Sequence, residues 1–92
     1  MTHQDFNRLY DQGLLDIKFY SGMVNGDKWS VEAFTWDGRY YLRIHKVHHY
    51  TLKRRNKNYA MANEMHIIKE FTTGTQANNY FKKLADGQLK RG

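Results

Sequence analysis

Apolar and polar side chains alternate on both sides of Asp37-Gly38, so the middle of this chain can hardly fold as anything but a pair of antiparallel strands. Before the turn, Trp29, Val31 and Ala33 share one face, and Ser30, Glu32, Phe34 and Trp36 the other. After it, Tyr40, Leu42 and Ile44 point one way and Tyr41, Arg43 and His45 the other. Upstream, Ile17 and Phe19 alternate with Lys18 and Tyr20, starting a strand near Asp16 that ends at the turn Asn25-Gly26-Asp27.

Helical signals flank these strands. Thr2 and Asp5 have capping-box spacing, and Phe6, Leu9, Tyr10 and Leu14 recur on one helical face, which predicts a helix over about 3–13 ending near Gly13. Residues 51–57 read as a cationic loop, and a fourth strand follows from Tyr59 or Met61 to Phe71. Thr72-Thr73-Gly74-Thr75 then caps a last helix whose apolar stripe is Ala77, Tyr80, Phe81 and Leu84. The expected fold is α+β: a four-stranded antiparallel sheet with an N-terminal and a C-terminal helix, in the order α-β-β-β-β-α. One sheet face takes both helices, leaving the other open to solvent or a partner.

At 92 residues the chain is one domain, spanning 1–92, with 87–92 expected to fray. So small a domain buries only about two-thirds of its unfolded surface. There is no cysteine to staple it, so the aromatics, 15% of residues, must supply the buried area. The start of the chain lacks the basic and apolar runs of a signal peptide, and no window reaches membrane-spanning length; a soluble, cytoplasmic protein with no membrane partner is expected.

Charge is distributed unevenly. Residues 1–37 carry six acids against three bases, whereas residues 38–92 carry twelve bases against three acids. Between Asp37 and Glu64 lie seven cations and no carboxylate: Arg39, Arg43, Lys46, Lys53, Arg54, Arg55 and Lys57. Contact with a polyanion is the leading expectation, because four like charges within Lys53–Lys57 repel one another until a counter-charge shields them. Arginine forks suit bidentate phosphate contact, and the lysines add undirected charge. A solvated loop that only maintains solubility is the plainer reading of that run.

Phe34, Trp36 and Tyr41 lie beside Arg43 on the face opposite Leu42 and Ile44, and three uses are open to them. They can stack unpaired bases, form a protein interface, or close a minor core against one helix. The candidate contact set for a partner or nucleic-acid phosphates is Trp36, Arg39, Tyr41, Arg43, Lys46, Lys53, Arg54, Arg55 and Lys57.

No metal site, cofactor or small-molecule substrate is expected. His45 and His49 share a face that His48 does not, and no cysteine or placed carboxylate completes a set with His66. A nuclease built on His45, His49 and Glu64 has no motif behind it, and the glycine-loop, zinc-protease and nucleophile-elbow motifs are missing. The chain is expected not to be an enzyme.

In size, basic charge and order of elements, the whole chain resembles the small anti-CRISPR proteins of bacteriophages that inhibit type I-F surveillance complexes. That group shares no diagnostic motif, so no residue role transfers. The resemblance implies a stoichiometric inhibitor in the cytoplasm of an infected bacterium, docking on a Cas protein–guide RNA complex and blocking target DNA recognition. A freestanding basic nucleic-acid-binding protein is the alternative. Duplex mimicry is excluded, since the chain is basic.

Overall fold

A computed structural model of the chain describes all residues, 1–92. Helix α1 (His3–Asp11) leads into β1 (Lys18–Val24), β2 (Asp27–Trp36), β3 (Arg39–Arg54) and β4 (Lys57–Phe71). Helix α2 (Gly74–Lys83), a tight turn over Leu84–Gly87 and a two-residue strand β5 (Lys90–Arg91) complete the chain. The class is the expected α+β, but the antiparallel sheet has five strands, in the order β4-β3-β2-β1-β5.

The fifth strand corrects the expectation of a fraying tail. Ala85, Asp86 and Gly87 all adopt positive φ and turn the chain back across β1. Leu89 is then buried against the main core, and Lys90 and Arg91 pair with Ser21 and Tyr20. Gly22 accommodates this return, since a β-carbon there would stand 3.4 Å from the Gln88 carbonyl oxygen.

Local signals account for the helix starts. Thr2 and Asp5 form a reciprocal capping box at α1, and the Thr73 hydroxyl accepts from the Gln76 amide at α2. Tight two-residue hairpins join the first four strands, each with both central residues at positive φ: Asn25-Gly26, Asp37-Gly38 and Arg55-Asn56.

The helices lie on opposite faces of the sheet, not on one as expected. Under α2, Val31, Leu42 and Ile44 form the larger core with Val24 and Leu89, and Tyr80 and Phe81 pack on it. On the other face Phe6 of α1 is buried with Phe34 and Tyr41, its ring 5.2 Å from that of Phe34, while Phe34 and Tyr41 stack at 5.3 Å. The cause is aromatic bulk, because a sheet this small cannot leave Phe34, Trp36 and Tyr41 to water while α1 has an apolar stripe to bury. Of the three uses open to these rings, the minor core is the one they adopt.

A second correction concerns residues 51–57, which are not a loop. Pairing between β2 and β3 stops at Asp27 with His48, but β3 and β4 continue to pair without a bulge from His49 with Ala62 to Arg54 with Lys57. Those six rungs project about 20 Å beyond the sheet as a free two-stranded arm, at a rise of about 3.3 Å per residue. The arm makes the molecule long, 54 × 28 × 21 Å.

Candidate functional site

The seven cations separate into two classes. Arg39 pairs with Glu70 at 2.9 Å, Arg43 pairs with Glu32, and Lys46 reaches Asp27 at 3.4 Å. Arg43 is further held by the Phe6 ring, 4.4 Å from its guanidinium carbon, and Lys46 lies 5.2 Å from the Trp29 ring. These three belong to the body of the sheet. Lys53, Arg54, Arg55 and Lys57 are all exposed at the end of the arm, and none of them has an acidic partner.

Tyr41 and Trp36 also leave the expected contact surface. Tyr41 is 7% exposed, its hydroxyl faces Glu70 at 3.5 Å, and burial followed by the Glu70 charge pushes the phenol's pKa up. Trp36 is half-buried against the minor core. Of the nine candidates, only the four arm cations are both exposed and unpaired.

The arm tip is electrostatically and sterically costly. Arg54 and Lys57 face each other across the last rung, where like charges destabilise. Arg55 has φ 48°, in a turn position filled by Asn25 and Asp37 in the other two hairpins. Arg55→Asn is expected to raise stability by about 1 kcal/mol, read as a higher melting temperature, by relieving left-handed strain and removing a repelled charge.

Alternation gives the arm two unlike faces. Side chains of Tyr50, Leu52 and Arg54 share a face with Met61, Tyr59 and Lys57 opposite them. Tyr50, Tyr59 and Met61 are 36%, 46% and 42% exposed. The reverse face carries His49, Thr51 and Lys53 against Ala62, Ala60 and Asn58. Sequence reasoning misses Tyr50 and Tyr59 as a pair because the cationic run between them, 51–57, reads as a loop. The β-prone run Tyr50-Thr51-Leu52 and the turn-former Asn56 were the signals that could have shown otherwise.

A histidine cluster lies where α1 meets β3 and β4. The His66 ring stands 4.0 Å from that of His3 and 4.9 Å from that of His45, and the His3 ring contacts the His66 carbonyl oxygen at 3.2 Å through Nε2. Arg43 Nε donates to His3 Nδ1 at 3.5 Å, and His45 meets Glu64 at 3.3 Å. No three His, Asp or Glu side chains converge as a metal ion requires. Partial loss of hydration, then the charges of His3, Arg43 and His45, hold the His66 pKa below the ordinary 6.5, with Glu64 opposing them.

The unfolded chain therefore takes up this proton at higher pH than the folded one. The contribution is complete above pH 6.5 and is lost as pH falls below it. The melting temperature is expected to drop between about pH 7 and pH 5, and His66→Gln to flatten that drop. An unchanged pH profile in the variant would assign the acid sensitivity elsewhere.

Comparison with known protein families, curated proteins and solved structures gave no match. No helix is long and apolar enough to cross a membrane.

Proposed function

We propose that this protein acts by binding and not by catalysis, and that it engages the phosphates of a nucleic acid with the β3–β4 arm. One observation carries the reading: four exposed cations without acidic partners are held at the end of a projecting ribbon, although Arg54 faces Lys57 and Arg55 adopts a left-handed backbone. A chain that only needed solubility would have no reason to gather like charges at a strained tip. Phosphates would relieve the repulsion and supply charge-assisted hydrogen bonds.

The second reading places the same arm on a nucleoprotein. The chain would be an anti-CRISPR inhibitor, acting in the cytoplasm of an infected bacterium, that docks on a Cas protein–guide RNA complex and blocks target DNA. It is favoured by exposed apolar side chains that phosphate contact does not use, Met61 and Met65 along β4 and Met23 on β1.

Gel shifts at two salt concentrations, with and without a purified type I-F complex, test both readings. A freestanding binder retards naked nucleic acid and loses affinity steeply as salt rises. An inhibitor binds naked strands weakly and the assembled complex tightly, with partial salt resistance. Absence of binding to either would contradict the proposal.

A further inference from the structure

We infer that the arm is a stacking platform for unpaired bases, so that the nucleic acid it takes is single-stranded; this rests on the phosphate-binding reading above. The two rings and two of the tip cations lie on one face. Tyr50 is opposite Met61, Tyr59 is opposite Leu52, and the next rung outward is Arg54 with Lys57. Tyr50 and Tyr59 are therefore diagonal neighbours, at a separation of about 7–8 Å for such positions on one sheet face. Towards the sheet, the His48 ring lies 6.1 Å from that of Tyr50 with only 16° between their planes, which extends the row of rings.

This arrangement combines the two elements of single-strand recognition. Cations at the end of the row hold the backbone, and aromatic faces along it receive successive bases. A duplex hides its base faces and offers phosphates and groove edges, which Tyr50, Tyr59, Leu52 and Met61 have little polar chemistry to read. Of the polyanions that would satisfy the tip, only one with unpaired bases also covers the rings. Both rings are exposed, Tyr50 at 36% and Tyr59 at 46%, and β2 ends its pairing at His48, short of the arm.

Fluorescence anisotropy with a labelled mixed-sequence single-stranded dodecamer and the matching duplex, at about 0.15 M salt, tests the inference. Each stacked ring contributes about tenfold or more. The native protein is expected to prefer the single strand by at least about tenfold. Tyr50→Ala with Tyr59→Ala should weaken single-strand binding by about a hundredfold and leave duplex binding within about twofold. Tyr50→Phe with Tyr59→Phe, which keeps the rings, should restore the preference, and this separates stacking from damage to the arm.

Equal affinity for strand and duplex in the native protein would overturn the inference while leaving phosphate binding intact. So would an alanine variant that weakens both ligands equally, or one that binds strands normally and loses only an assembled nucleoprotein, which would assign the rings to a protein surface. Failure of the native protein to bind either nucleic acid would overturn the phosphate-binding reading and this inference with it.

Discussion

Changing Lys53, Arg54, Arg55 and Lys57 together to serine is expected to reduce affinity for nucleic acid by at least about a hundredfold at low salt, without loss of fold. Four phosphate contacts to a single strand imply a slope of log affinity on log salt near −3, which the variant would flatten towards zero. None of the four has an ion-pair partner to lose, and the Arg54–Lys57 repulsion disappears, so the melting temperature should hold or rise.

Serine at Arg39, Arg43 and Lys46 should act in the opposite sense. These side chains neutralise Glu70, Glu32 and Asp27, and Arg43 also covers Phe6. Their loss should lower stability and change nucleic-acid affinity much less. If the two results were reversed, with binding lost through the sheet cations and kept without the tip, the division into two charge classes would be wrong.

Ile44→Ala and Phe34→Ala should each come close to unfolding the domain. Ile44 is fully buried under α2, and Phe34, at 4% exposed, is buried under α1. Truncating such side chains costs roughly 2–5 kcal/mol, against a stability of about 5–14 kcal/mol for a domain of this length. At about 4–8 °C per kcal/mol, the melting temperature should fall by about 8–40 °C. Both cores are built on β2 and β3, so either variant should melt in one cooperative transition. Separate melting of α1 in Phe34→Ala would mean that the minor core is an independent layer.

What could be read from the sequence follows the strength of local signals. Asn25-Gly26 and Asp37-Gly38 leave little choice of turn, and the alternation beside them sets which side chains share a face. The Thr2 and Thr73 caps locate both helix starts to within a residue or two. These signals operate over four to ten residues, and the structure agrees with them.

The errors arose where tertiary context decides. Lys53-Arg54-Arg55-Asn56-Lys57 has the polarity of a loop, yet the pairing of Tyr50, Thr51 and Leu52 with Met61, Ala60 and Tyr59 carries the strands through it to the turn. Assigning both helices to one face followed from treating Arg43 and Tyr41 as an outward surface. Glu32 and the Phe6 ring make Arg43 compatible with a half-buried position, and neither partner is close to it in sequence. His3 was invisible for the same reason, since it meets His66 across 63 positions of chain. The two residues of β5 carry no period of their own and depend on Leu89 finding the core.

The most direct test of the arm as the point of contact is an amide chemical-shift titration of the labelled protein with an unpaired oligonucleotide. The largest perturbations are expected between His48 and Met61, centred on the Arg55-Asn56 turn, with the helices nearly silent. Perturbations concentrated instead around Arg39, Arg43 and α1, with the arm unmoved, would contradict it.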